Sequence, residues 1–338
     1  MSAEPGATPL EPPPVPPDGV RTVGVVGTGV IGGGWAAHFL RMGYDVVAHD
    51  PGPRARDRLE ALVDNAWPAL DRLGLARGAD RSRLRFTASL ADAVAAADVV
   101  QESTPERLPL KTAVLAEIDA HARPGVVVLS STSGLSMTEM AAGCRTPERF
   151  VVGHPFNPPY LIPLVEVCGG KATSPRTTAW AADFYAHAGK APLVLQRELS
   201  GFIGNRLQEA LWREALHMVA EGEAGVAELD ASIAYGPGLR WALMGPCLTF
   251  HLAGGPGGMG HMLDHFGAAL LEPWTRLEAP ELTPQLRERM VAGSLDEAGG
   301  RSVAELEAER DDFLVELLLL LQRHHARHGR RFPGAAGA

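Results

Sequence analysis

VGVVGTGVIGGGWAAHFLRMGYDVVAHD, residues 23–50, decides the fold. Its β-branched start, VGVV (23–26), reads as a buried strand, and WAAHFLRMG (35–43) reads as the helix that follows. DVVAHD (45–50) is a second strand, ending in an acid. Between the first strand and the helix lies Gly27-x-Gly29-x-x-Gly32. A chain with 38 glycines can produce that spacing by chance. The strand before it, the helix after it and the acid closing the next strand give it meaning. Gly27 permits the tight turn, Gly29 lets the backbone approach a pyrophosphate, and Gly32 lets the helix pack on the sheet. Free N–H groups at the helix start, with their partial positive charge, suit phosphates. Gly27, Thr28, Gly29, Val30, Ile31 and Gly32 are therefore candidate dinucleotide contacts. Asp50 comes eighteen residues after Gly32. Its carboxylate can accept both ribose hydroxyls and would repel a 2′-phosphate, which favours NAD over NADP. Arg54 and Arg56 lie close enough to pull the other way. The alternative is a glycine turn in an α/β protein that binds no nucleotide.

Outward from this unit the pattern repeats. A helical stretch runs from Arg54 to Leu73. DVVQES (98–103), VVVLSS (126–131), FVVGH (150–154) and PLVLQ (192–196) are further strand candidates. Near-continuous valine runs separated by helices predict a parallel sheet buried on both faces. After Ser200 the character changes. Ile203, Leu207, Leu211, Ala215, Met218 and Val219 recur at the spacing of one amphipathic helix. The expected architecture is α/β: an N-terminal Rossmann-type doubly wound sheet domain, then an all-α C-terminal domain. The expected divisions are a disordered Pro-rich tail at 1–19, the NAD-binding domain at 20–198, a helical substrate and dimerisation domain at 199–328, and a flexible tail at 329–338.

The composition narrows the function. With a net charge of −9 and no basic patch, nucleic-acid binding has no electrostatic support. The run Phe313–Leu321 is shorter than the ~18 apolar residues of a membrane span and carries Glu316. Cys144, Cys168 and Cys247 lie far apart without metal-ligand or CxxC spacing, so they read as reduced thiols of a cytosolic protein, and no metal site is expected.

HPFNPPYLIPLVEV (154–167) has a histidine and a glutamate twelve residues apart, with prolines that bar a helix between them. Oxidation of a secondary alcohol needs a base near neutral pH, a task for histidine, and a carboxylate on its second nitrogen would fix the tautomer. On the residues alone, that pair and a buried structural histidine beside a surface glutamate are both open.

The ordered set GTGVIG (27–32), Asp50, ESTPERLPLK (102–111), SSTSGLS (130–136), GHPFNPP (153–159), LVEV (164–167) and SGFIGNRL (200–207) resembles the 3-hydroxyacyl-CoA dehydrogenase superfamily. The resemblance covers nearly the whole chain between the tails. NAWPAL (65–70), YGPGLRWALMGPCLTFHLAGGPGGMGH (235–261), EPWTRLEAPELT (272–283) and RSVAELEAERDD (301–312) resemble its L-carnitine dehydrogenase branch. The GxGFYxY-type segment usual in the acyl-CoA enzymes is missing. The resemblance implies a cytoplasmic NAD-dependent homodimer acting on a small, carnitine-like hydroxy acid. It implies His154 as general base, oriented by Glu166, with Ser133 and Asn205 on the substrate oxygen. Glu106 and Lys111 would meet the nicotinamide ribose, and Asn157 the cofactor. A trimethylammonium group is held by aromatic faces. The candidates are Phe156, Tyr160, Trp241, Phe250 and Trp274, with Arg240 for the carboxylate. An acyl-CoA would instead use Arg54, Arg56, Arg58, Arg72 and Arg77 for its phosphates. A λ-crystallin/gulonate dehydrogenase-like protein, or a structural protein on the same fold, are further alternatives.

Overall fold

The computed structural model describes residues 15–266, 275, 278, 280–281, 283–330 and 332. The expected tails, apart from residues 15–19, 329–330 and 332, and Trp274 lie outside the described residues. The chain contacts divide into two units. One comprises the described residues up to Ile203 together with those from Asp311 onward. The other is Gly204–Arg310.

The first unit is an eight-stranded sheet in the order β3-β2-β1-β4-β5-β6-β7-β8. The strands are β1 (Thr22–Val26), β2 (Asp45–His49), β3 (Leu84–Thr87), β4 (Val99–Glu102), β5 (Val127–Ser130), β6 (Phe150–Pro155), β7 (Leu164–Gly169) and β8 (Ala191–Val194). The first six run parallel in the doubly wound order that binds dinucleotides. Successive residues of each central strand serve opposite faces. Val25, Val99, Leu129 and Val151 join one apolar cluster, and Val26, Val100, Val128 and Val152 the other. That double burial is why the strands read as unbroken valine runs.

Helix α1 (Val30–Arg41) contributes Trp35, Phe39 and Leu40 to the first cluster, and α2 (Ala55–Arg72) contributes Leu59, Val63, Ala66 and Leu70 at helical spacing. Helices α3 (Leu90–Ala95), α4 (Leu108–His121) and α5 (Met137–Met140) cover the other face. Helix α6 (Pro175–His187) joins β7 to β8. Each fully buried Val or Leu contributes roughly 1.5–3 kcal/mol.

Two expectations are corrected. β7 pairs with β6 antiparallel, whereas the valine pattern predicted a parallel sheet throughout. Residues 156–163 are too short for a parallel crossover, which takes about a dozen residues or more. Residues 15–19, placed by composition in the tail, are held. Pro17–Gly19 forms a 3-10 turn, and the Trp180 indole donates to the Val15 carbonyl at 2.7 Å.

The second unit is helical: α7 (Gly204–Glu221), α8 (Val226–Ala234), α9 (Pro237–Trp241), α10 (Pro246–Ala253), α11 (Gly258–Phe266), α12 (Pro284–Ala298) and the start of α13 (Val303–Arg327). From Asp311 on, α13 belongs with the sheet unit, although the sequence pattern assigned it to the helical domain. Val315 and Leu318 pack on Leu73 and Leu161, Asp311 accepts from the Tyr160 hydroxyl, and Asp312 pairs with Arg72. Among the described residues no helix is long and apolar enough to cross a membrane.

Candidate active site

The glycine loop follows the logic of its spacing. Gly27 has φ +87°, and a Cβ there would stand 2.7 Å from the Ser103 carbonyl oxygen. A Cβ on Gly32 would stand 1.8 Å from the Gly27 carbonyl oxygen. Gly29 caps the N-terminus of α1, and a Cβ there would meet nothing within 4 Å. Two glycines thus close the turn, and the third leaves room beside the open helix end. Asp50 accepts from the Thr28 amide at 2.8 Å, the Thr28 hydroxyl at 3.2 Å and the Gly52 amide at 2.8 Å. Burial works against its ionisation. The hydrogen bonds from Thr28 and Gly52, aided by the Arg58 charge, outweigh it and hold the carboxyl below its usual range. It is therefore an anion beside the glycine loop, a charge that suits ribose hydroxyls and would repel a 2′-phosphate. A cleft of about 840 Å³ runs from Asp50 past Gly29 and Glu106 to Ser133. A dinucleotide fits this arrangement: an acid at the ribose end, an open helix N-terminus in the middle, and hydroxyls at the far end.

His154 and Glu166 are direct cross-strand partners in the β6–β7 ladder, so their side chains share one face of the sheet. His154 Nδ1 and Glu166 Oε2 are 2.9 Å apart, with His154 3% exposed and Glu166 fully buried. An ionised Glu166 makes Nδ1 the donor and leaves the lone pair on Nε2. The other carboxylate oxygen, Oε1, accepts from the Ile203 amide at 2.9 Å. Two phenyl rings flank the imidazole, Phe156 at 4.9 Å and Phe202 at 5.2 Å between centroids. The connecting loop is fixed from several sides. A Cβ on Gly34 of α1 would come within 2.7 Å of the Pro159 ring, so the bare glycine gives that ring its seat. The buried Lys190 ammonium donates to the Pro159 and Ile162 carbonyls over the face of Trp35. Burial, with the Arg41 charge nearby, pushes its pKa well down.

Ser133 follows β5 in a loop held by Glu106. Oε1 of Glu106 accepts from the Thr132 hydroxyl at 2.6 Å, the Ser133 amide at 2.9 Å and the Gly134 amide at 3.1 Å. Lys111, expected at the ribose, is buried instead. Its ammonium lies 2.9 and 3.1 Å from the two oxygens of Glu102 and 3.8 Å from Glu106. Glu102 is fully buried, and it also accepts from the Ser130 hydroxyl at 2.5 Å and the Thr104 amide at 2.6 Å. Sequence reasoning missed Glu102. Its one signal was an acid closing a buried strand.

Of the other candidates, Phe156 stands beside His154, and Asn157 follows it, exposed. Tyr160 turns away to Asp311, and its ring packs with the Leu73–Leu161 cluster, which removes it from the wall beside His154. Asn205 is in the first turn of α7. Arg240 and Trp241 end α9, and Phe250 lies on α10, half exposed. Phe202 was missed too. It is one of two non-glycine residues with positive φ among the described residues, at φ +51°, and follows Gly201 at φ +69°. That conformation costs a residue with a Cβ roughly 1–2 kcal/mol.

Comparison with known proteins identifies the family. Residues 22–199 match the model of the 3-hydroxyacyl-CoA dehydrogenase NAD-binding domain, and residues 201–304 match that of the C-terminal domain. The chain is 63% identical to an L-carnitine dehydrogenase of Nocardiopsis dassonvillei, over 90% of this chain and 93% of that one. Among solved structures it is similar to a 5-formyl-3-hydroxy-2-methylpyridine 4-carboxylic acid 5-dehydrogenase, an NAD+-dependent dismutase (TM-score 0.77, 30% identity, 92% of this chain and 100% of that one). It is also similar to an (S)-3-hydroxybutyryl-CoA dehydrogenase of Ralstonia eutropha (TM-score 0.59, 28% identity, 83% of this chain and 94% of that one). The chain belongs to the 3-hydroxyacyl-CoA dehydrogenase family and is an NAD-dependent dehydrogenase of a CH–OH group.

Proposed function

We propose that the protein oxidises the 3-hydroxyl of L-carnitine to 3-dehydrocarnitine. The likeness to an L-carnitine dehydrogenase, spanning both units, carries the choice of substrate. The His154–Glu166 pair supports the chemistry. Nε2 of His154 takes the hydroxyl proton as the C–O bond becomes a carbonyl. Glu166 holds Nδ1 as the donor and stabilises the imidazolium that forms. NAD supplies the acceptor for the hydride leaving C3. Ser133 donates to the substrate oxygen, and Asn205 holds its developing negative charge. Glu106 orders the Ser133 loop and borders the cofactor ribose, and Asn157 adds a cofactor contact. Trp241 and Phe250 are assigned to the trimethylammonium group, and Arg240 to the carboxylate.

The working form is proposed to be a cytoplasmic homodimer. Leu207, Leu211 and Trp212 on α7 each keep about half their surface exposed, and such an apolar stripe suits a contact between subunits. Three free thiols suit a reducing compartment. The test is NADH formation with L-carnitine, 3-hydroxybutyryl-CoA and L-gulonate in parallel. Turnover of carnitine alone is expected. Turnover of the CoA ester alone would replace the substrate reading, and turnover of gulonate alone would do so too.

A further inference from the structure

Among the described residues, Phe202 combines three features. Its backbone is left-handed, the residue is 2% exposed, and its ring lies 5.2 Å from the His154 imidazole, centroid to centroid. A glycine would sit at φ +51° without strain, and the chain does place glycine at the neighbouring position 201. A phenylalanine in such a conformation persists only where its side chain is needed or its surroundings dictate it. The turn aims two groups at one target. The Phe202 amide donates to the Leu199 carbonyl at 3.1 Å, closing a tight turn. The two successive left-handed residues then send the ring onto the imidazole of His154 and the next amide, Ile203 N–H, onto Oε1 of Glu166. One short turn therefore touches both members of the His–Glu pair, from the side opposite in sequence to the loop that carries Phe156.

We infer that Phe202 is a positioning residue for the oxidation: its ring, seated by the left-handed turn at 201–202, locks the imidazole of His154 in the orientation that presents Nε2 to the substrate. The inference rests on His154 being the base. Nδ1 is anchored by Glu166, but one hydrogen bond leaves the ring free to swing about it. The Phe156 and Phe202 rings remove that freedom and keep water off the pair. The competing role for Phe202 is to fill the apolar cluster it shares with Cys168 and Leu195.

The experiment compares Phe202→Ala, Phe202→Met and His154→Ala. It measures kcat, KM for the hydroxy substrate, NAD affinity by calorimetry, the solvent deuterium isotope effect on kcat, and Tm. Methionine keeps volume and burial but is not a rigid plate. Phe202→Met should fold, bind NAD within about twofold of wild type, and lose roughly tenfold to hundredfold in kcat, as expected of a base displaced by about an ångström. Its KM should change little, and its isotope effect should rise as proton transfer becomes limiting. Phe202→Ala should lose more kcat, and if it does not fold, the methionine variant decides. Wild-type kcat in Phe202→Met with an inactive His154→Ala would overturn this inference alone. Parallel losses of kcat, NAD affinity and Tm would make Phe202 a packing residue and overturn it as well. Retained turnover in His154→Ala would instead remove the base assignment on which it stands.

Discussion

Glu166→Gln separates a tautomer-fixing carboxylate from one that merely fills space. Glu166 accepts from His154 Nδ1 through Oε2 and from the Ile203 amide through Oε1, each at 2.9 Å. A carboxylate can accept both bonds. A carboxamide has one acceptor oxygen and one NH₂ donor. The Ile203 amide can only donate, so the glutamine oxygen turns to it and the NH₂ faces Nδ1. The reverse orientation would oppose two donors in a fully buried place, at a cost of about 1–3 kcal/mol. Nδ1 then becomes the acceptor, the ring proton moves to Nε2, and the nitrogen meant to take the substrate proton is blocked. General-base catalysis is worth about 10²–10⁴-fold, so kcat should fall by that factor. NAD affinity should hold, because Glu166 lies outside the cleft lined by Asp50 and Glu106. Steady-state NADH formation by purified variant and wild type measures this. Because the defect is a tautomer, raising the pH should not restore the rate. A kcat within about threefold of wild type would refute the tautomer argument and the base assignment with it.

The glycine loop offers a contrast. Gly29→Ala meets open space, so Tm should hold while NAD affinity collapses; Gly32→Ala drives a methyl into the Gly27 carbonyl, so Tm and NAD affinity should fall together, both read by thermal shift with and without NAD. Lys111→Met leaves Glu102 buried without its cation, and a stability loss of about 3–5 kcal/mol is expected in urea unfolding. Asp119 gives a pH signature. Burial opposes its ionisation, but bonds from Thr146, Arg149 and the Arg145 amide outweigh that and hold its carboxyl below the ordinary range. Its folded pKa is depressed, so its stabilisation is complete above the ordinary carboxylate pKa and disappears as pH falls through the folded value. Urea midpoints at neutral and strongly acid pH should therefore differ less for Asp119→Asn than for wild type; an unchanged difference would count against the linkage.

What could be read in advance is set by how far apart the interacting groups lie in the chain. The turn at Gly27, the open end at Gly29 and the acid at Asp50 were legible because a strand, a loop and a helix fix them within one short unit. β3 leaves no signature in the sequence, since Leu84–Thr87 is a short edge strand carrying Arg85, with no fully buried residue to give an apolar run. The direction of β7 was legible in principle, for eight residues cannot carry a parallel crossover. The same hairpin makes His154 and Glu166 register partners, whereas the sequence offered a spacing and two open readings. The place of Tyr160 is not legible in the sequence because its partner, Asp311, comes from the far end of the chain. The burial of Lys111 is hidden for a related reason. Its nine-residue step back to Glu102 looks like surface charge until α4 lays it over the end of β4. Phe202 is the hardest case, since only a backbone angle sets it apart from an ordinary core residue. A left-handed phenylalanine has no signature in a string of letters. It becomes visible when the ring it carries is found against a histidine forty-eight positions earlier.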